Sequence, residues 1–286
     1  MAHFEKAGSG KNSSVQFATH PSDRKQIWRA TVSHGTKFDV VLWGGDSLTV
    51  ESPGGLLTFT EGKSPGKDRR LFTITANSYG TLELQARHSN GSVWDTLTVN
   101  VASQTDKLLC SQAIKLLKHK SVAKMQFQIG PLQVTPARMR GVSSLLQSGE
   151  VFVRYSPSLP LGAYLRGQDE LQLPYQSIST DEQKANACHE LSHALMDQHY
   201  AGKPLKRTVT ESVGYIVQFI FFRVARPKLT VDKVKQIPVA IAAFEAAGEV
   251  IANKRVSQSA QTKLREALIA NGIYSNQSRM ISYDGI

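Results

Sequence analysis

One five-residue stretch, His189-Glu190-Leu191-Ser192-His193, carries the residue types and spacing for metal chemistry. On a helix, histidines four residues apart share one face, a turn apart, so both imidazoles can reach one metal ion. Glu190 then lies about 100° around the axis from His189. That places its carboxylate beside the ligand stripe, where it can take a proton from a metal-activated water. Cys188, Leu191, Ala194 and Leu195 are apolar or small, as a buried helix requires. A catalytic zinc site needs a third protein ligand and an open position. Glu211 lies 18 residues after His193, at the start of the next predicted helix, Thr208 to Arg226. Folding that helix antiparallel on the first would bring Glu211 to the metal. His199 would need a sharp turn at Met196, where no glycine allows one. Asp197, one turn beyond His193, suits a supporting role better than a ligand role. Thr208-Val-Thr-Glu211 also reads as a capping box. Glu211 is nevertheless favoured, because Thr210 can cap equally well and two histidines with a glutamate form a known catalytic zinc set. Peptide hydrolysis also needs a donor for the oxyanion; Tyr215, His199 and Tyr283 are the candidates, and Tyr215 is assigned to catalysis with Glu190.

These residues must be held by helices, and the local signals supply them. Thr180-Asp-Glu-Gln183 is a capping box that opens the motif helix, and Gly202 and Pro204 end it. Upstream, Thr105 caps a helix with apolar Leu108, Leu109, Ile114, Leu116 and Leu117, and Thr135-Pro136 opens another that ends before Gly149. A β patch lies between, in Glu150 to Tyr155, Gly162 to Arg166 and Asp169 to Leu173, with a turn at Gly167-Gln168. From Thr180 to Gly272 the pattern is helical throughout. Residues 27–102 read differently. Runs such as Lys37 to Trp43, Leu71 to Thr75 and Trp94 to Val101 alternate apolar and polar residues, and turn signals such as Pro53-Gly-Gly55 and Asn90-Gly91 separate them. About seven short strands of this kind argue for a β-sandwich. Residues 1–26, with Gly8-Ser-Gly-Lys-Asn-Ser-Ser14, read as a flexible lead-in. The predicted fold is therefore an all-β sandwich over 27–102 followed by an α+β domain over 105–286.

The stretch Leu71 to Val101 resembles the last strands of bacterial immunoglobulin-like domains. His189 to Asp197 followed by Arg207 to Ile216 resembles the zincin metallopeptidases of the gluzincin type, over about 60 residues from Gly162 to Phe222. That resemblance implies a zincin-like metallopeptidase domain over 105–286 that binds zinc through His189, His193 and Glu211, with Glu190 as catalytic base. It also implies that the Gly162 to Leu173 hairpin offers an edge strand to an extended peptide or protein substrate. One departure stands out. Many gluzincins carry an acidic residue four positions after the ligand glutamate, and here that residue is Tyr215. The combination of modules resembles secreted bacterial metallopeptidase effectors, including those carried by type VI secretion spike proteins. By that resemblance the partners would be an immunity protein or a secretion apparatus.

Composition bounds the alternatives. Hydrophobic residues make up 41% of the 286-residue chain, enough for a sizeable core, so a fully disordered chain is excluded. The longest apolar run, Val213 to Phe222, is interrupted by Gln218 and is too short to span a membrane. Met1-Ala-His-Phe-Glu-Lys shows no signal-peptide pattern. The expectation is synthesis in the cytoplasm, two reduced thiols at Cys110 and Cys188, and export, if any, by a route outside the general secretory pathway. The net charge of +11 is uneven: residues 1–105 hold 11 Lys/Arg and 9 Asp/Glu, leaving 23 and 14 for residues 106–286. A basic C-terminal portion can attract a polyanion, but no pattern for sequence-specific nucleic-acid readout is present. Two further readings follow, a peptidoglycan-peptide hydrolase acting on cell wall and a non-catalytic binding protein holding a structural metal.

Overall fold

The computed structural model describes residues 3–7, 15–20, 23–44, 47–234, 237–271, 280–281 and 283. The chain forms two compact units. One comprises residues 1–107 with 147–152, the other residues 108–146 with 153–286. The division thus falls a few residues later than the 102/105 boundary expected from the change in sequence texture.

The first unit is built on nine strands: β1 (His3–Lys6), β2 (Gln16–His20), β3 (Asp23–Ser33), β4 (Lys37–Trp43), β5 (Thr49–Glu51), β6 (Leu57–Glu61), β7 (Arg69–Ala76), β8 (Gly80–Arg87) and β9 (Val93–Ala102). They form one sheet in the order β5-β8-β9-β3-β1-β4-β7-β6, with β2 on β3. All the pairings are antiparallel except β3 with β9. Strands far apart in that order share one core: Leu82, Leu84 and Leu97 are buried in the same cluster as Leu57, Phe72 and Ile74. The sheet must therefore curl so that one face closes over a common interior. Alternation explains which side chains enter. In β8, Leu82, Leu84 and Ala86 are buried while Thr81, Glu83 and Gln85 point the other way.

The described part of residues 1–26 is strand, not a flexible lead-in. Strand β1 lies between β3 and β4, and Phe4 is fully buried in the core. The Phe4 amide donates to the Asp95 carboxylate at 2.9 Å. A single large aromatic in each of two short polar segments, Phe4 and Phe17, anchors them to the sheet. The segment Gly8 to Ser14, also expected to be flexible, lies outside the described residues.

The second unit holds α1 (Gln104–Leu116, its first residues in the other unit), β10 (Phe127–Ile129), β11 (Leu132–Val134), α2 (Pro136–Ser148), β12 (Phe152–Tyr155), β13 (Ala163–Leu165), β14 (Glu170–Leu173), α3 (Asp181–Tyr200), β15 (Leu205–Lys206), α4 (Arg207–Ala225), α5 (Pro238–Asn253), α6 (Gln258–Ala270) and β16 (Met280–Ile281). Strands β10 and β11 form a hairpin, and β12, β14 and β13 form a sheet in that order with β13 on the edge. The β13–β14 turn runs through Arg166–Gln168 and closes at Asp169, which takes the left-handed conformation with φ 45°. Residues 180–272 are not wholly helical: β15 pairs with β16 from the chain's end, Leu205 with Ile281 and Lys206 with Met280. Helix α4 is the centre of the unit. It packs on α3, α5 and α6 and buries Val213, Ile216, Val217, Ile220 and Phe221. No helix among the described residues is long and apolar enough to cross a membrane. Cys110 and Cys188 are not joined to each other.

Candidate metal centre

Helix α3 begins where its sequence says it should. The Thr180 hydroxyl accepts from the Gln183 amide at 3.2 Å, and the Gln183 side chain accepts from the Thr180 amide at 2.9 Å. This reciprocal cap satisfies two helix-end donors and fixes the phase of the helix. Helix α4 starts differently. Its N-cap is Lys206, with no side-chain cap, and the Thr210 hydroxyl donates to the Arg207 carbonyl at 2.9 Å. Glu211 is therefore not consumed in a capping box, and its carboxylate is left to face α3.

The two helices run antiparallel. Arg226 meets Asp181, Gln218 meets Asn186, and Glu211 meets His189, so positions descend on α4 as they ascend on α3. The crossing is unusually close at Gly214. A Cβ there would sit 2.5 Å from Nε2 of His189 and 2.7 Å from its Cδ2. Only glycine lets the backbone of α4 lie against that imidazole.

This packing brings His189, His193 and Glu211 together, with one ligand atom from each within 4.8 Å of the others. Nε2 of His189 is 3.5 Å from a Glu211 carboxylate oxygen, and the imidazole centroids are 5.2 Å apart. A tetrahedral site with bonds of about 2.1 Å has edges of about 3.4 Å, so the donors stand close to a metal-binding spacing. Each imidazole is also held from behind. The Nδ1 of His189 faces Oε1 of Gln218 at 3.2 Å, and the Gln218 amide donates to Asn186 at 2.7 Å, which keeps that oxygen turned toward the ring. The Nδ1 of His193 faces the Tyr283 hydroxyl at 3.2 Å. Donation from Nδ1 in both rings would leave each Nε2 for a metal, the tautomer that metal ligation needs. The group could hold a metal ion.

The electrostatics match. Burial alone would raise the Glu211 carboxyl, but the His189 hydrogen bond, His193 and Arg207 outweigh it and bring the group down to about 2. Burial works against a charged His189, yet the Glu211 and Glu190 carboxylates and Gln218 together raise it. His193 is lowered, chiefly by burial. A carboxylate wedged between two imidazoles holds a cation in place, whether a proton or a metal.

Of the other candidate ligands, His199 is exposed near the end of α3. Asp197 is fully buried and accepts from the Tyr164 hydroxyl of β13 at 3.0 Å, tying the edge strand to α3. Neither belongs to the three-residue group. Of the oxyanion candidates, Tyr215 stands with its ring edge-on to His189, centroids 4.9 Å apart. Tyr283 is buried with its hydroxyl on His193, and its carbonyl accepts from the Gly202 amide at 2.7 Å. That engagement makes it a support for a ligand.

A cleft of about 1030 Å³ opens over the group, lined by Glu190, Tyr215, the β13 strand and α4. Backbone at Gly162 lies against Glu190, where an added Cβ would come 3.1 Å from its Cγ. Glu190 thus borders the open side of the donor set. Gln218, Asn186 and Gly214 were not singled out by sequence reasoning as parts of the site. Two signals existed: a lone glutamine seven residues after Glu211, on the same helical face within an apolar run, and a glycine near the start of that run.

No protein-family model matches the chain, and no curated protein matches it. The side chains themselves must carry the functional assignment.

Proposed function

We propose that the protein is a zinc-dependent metallopeptidase hydrolysing peptide bonds, with an immunoglobulin-like first unit and a zincin-like second unit. The observation that carries this reading is the convergence of His189, His193 and Glu211 within 4.8 Å beneath a cleft that Glu190 borders. Two neutral nitrogens and one carboxylate suit zinc, whereas calcium and magnesium favour all-oxygen sets. When bound, a zinc ion would supply Lewis acidity to a carbonyl and acidify a water to a pKa of about 7.

The remaining work falls to the chain. Glu190 takes a proton from the water that attacks the carbonyl and returns it to the leaving amine. Tyr215, which lines the cleft with its ring edge-on to His189, would donate to the developing oxyanion. Among the described residues β13 stands at the edge of its sheet, and it lines the cleft from Ala163 to Leu165, so an extended peptide could add to it as a further strand. Tyr164, on Asp197, holds that edge against the helix that carries Glu190. Asn186, Gln218 and Tyr283 hold the histidines in register.

The test has two parts. Metal analysis after zinc loading and desalting should give about one equivalent for the wild type and less than about 0.1 for His189→Ala. The Glu190→Gln variant should retain zinc and lose hydrolysis of peptide substrates, by roughly 10² or more. Full activity in Glu190→Gln would refute the mechanism.

A further inference from the structure

One side of α4 lines the whole cleft, through Arg207, Glu211, Tyr215, Phe219, Phe222 and Arg226, at steps of three or four residues. Toward the helix's C-terminal end Phe219, Phe222, Leu229 and Ile237 supply an apolar surface, beside Lys233 and Arg226, which pairs with Glu182. Toward its N-terminal end, beyond Glu211, the lining includes Arg207, Arg166, Ile281 and Tyr283.

Arg166 is the unusual member. It sits in the β13–β14 turn directly after the edge strand, half-buried, with its guanidinium over the Tyr283 ring at 5.9 Å. The hydroxyl of that same tyrosine is on His193. The other arginines lining the cleft have carboxylates at hand: Arg226 pairs with Asp181 and Glu182, and Arg207 lies 4.0 Å from Glu211. Among the described residues no carboxylate pairs with Arg166. A guanidinium keeps its charge at every accessible pH, and its fork of donors matches a carboxylate in two-point contact. An aromatic face beneath it leaves the in-plane donors available while restricting the side chain's freedom.

We infer that Arg166 is a carboxylate-binding residue of the cleft, so that the substrates are peptides with a carboxylate on one side of the cleaved bond and a large apolar side chain on the other. The carboxylate can come from a chain terminus or from an Asp or Glu side chain; both present the same group. This inference rests on the peptidase reading for the word substrate, but the binding it asserts does not require turnover.

The experiment uses the full chain, zinc-loaded, carrying Glu190→Gln so that bound peptide stays intact. Calorimetry compares acetyl-Ala-Ala-Phe-Ala-Ala as free acid and as amide, and acetyl-Ala-Ala-Phe-Ala-Glu-Ala-amide with its glutamine counterpart. At least one charged member should bind roughly tenfold or more tightly than its neutral mate, the worth of a charge-assisted hydrogen bond. Adding Arg166→Met should abolish that difference while leaving zinc content and the affinity of the neutral peptides unchanged. Equal affinities within both pairs, no binding of any peptide, or a preference that survives Arg166→Met would overturn the inference. Hydrolysis by the wild type is scored separately. A carboxylate preference without cleavage would leave Arg166 standing and remove the peptidase reading; cleavage without a preference would do the reverse.

Discussion

Replacing Gly214 with alanine should damage the metal centre through a single methyl group. The new Cβ would lie 2.5 Å from Nε2 of His189, 2.7 Å from its Cδ2 and 2.8 Å from its Cε1, so it confronts the ring rather than one atom. Carbon and nitrogen at ordinary van der Waals contact are about 3.5 Å apart, so roughly 1 Å must be recovered. The helix backbone cannot supply it cheaply, because Ser212, Val213, Ile216 and Val217 around Gly214 are buried. The imidazole must swing away, and it can do so only by leaving Gln218 and the shared donor space. Zinc tolerates displacements of about 0.2 Å in its ligand distances. A shift several times larger removes one of three ligands. Zinc affinity, measured by competition with a chromophoric chelator, should fall by at least about 100-fold, more than the loss of a supporting contact. The fold itself should survive. Alanine favours helix over glycine by about 1 kcal/mol, which offsets part of an overpacking cost of about 1–3 kcal/mol. Chelator-treated wild type and Gly214→Ala should therefore melt within a few degrees of each other while differing greatly in zinc binding. Undiminished zinc affinity in the variant would mean that the close approach of α4 to His189 is not as described, and the donor geometry would fall with it.

Further outcomes follow from the same geometry. Gln218→Leu and Tyr283→Phe each remove the acceptor behind one imidazole, and each should weaken zinc binding about 10- to 100-fold without removing it, as read by chelator competition. In chelated protein, Glu211 contributes stability that is fully present above about pH 4.5 and is lost as pH falls toward 2, because its folded value lies below its ordinary one. The loss is on the order of 3 kcal/mol across that interval, and urea unfolding of wild type against Glu211→Gln at pH 6 and pH 3 should show the variant with the flatter profile. His189, raised in the fold, contributes stability below about pH 6.5 that fades as pH climbs through its folded value. The lowered His193 acts in the opposite sense over the same range, so the acid side is the cleaner measurement. Thr180→Ala removes half of the reciprocal cap on α3 and should cost about 1 kcal/mol of stability while leaving zinc affinity intact.

What could be read from the sequence, and what could not, divides along a physical line. His189, Glu190 and His193 are related by the helix repeat, and the Thr180 cap fixes that helix, so their shared face is a local property. The β4 strand from Lys37 to Trp43 was legible for the same reason, since alternation and flanking turns are local too. Glu211 was reachable because only one helix–helix packing had to be assumed, and the competing capping box proved unused: the helix starts after Lys206 and the Thr210 hydroxyl donates to the Arg207 carbonyl. The N-terminal strands were misread because their evidence is one phenylalanine apiece amid polar residues, and propensity yields to a core that needs Phe4 between β3 and β4.

The groups behind the histidines lay further out of reach, and the reason is instructive. Chain separation alone did not hide them: Gln218 stands 29 residues from His189, Tyr283 stands 90 from His193, yet Glu211 at 22 from His189 was found. The difference is chemical. A carboxylate near the start of the helix that follows a histidine pair has few other purposes, so its residue type points to the metal. An amide or a phenol has many, and only the packing says which one it serves. Tyr215 shows the converse: expecting an acid four residues after Glu211 drew attention to the residue that fills that position, while the support it would have given comes from Gln218, three residues further along and nearly a full turn around the same helix. The centre therefore solves the orientation of His189 with a neutral acceptor, which fixes the tautomer without adding a second negative charge beside Glu211 and Glu190. A third carboxylate there would raise the basicity of the ring further; Gln218→Glu should accordingly bind zinc at least as tightly as the wild type, and a weaker affinity would show that the neutral contact is required.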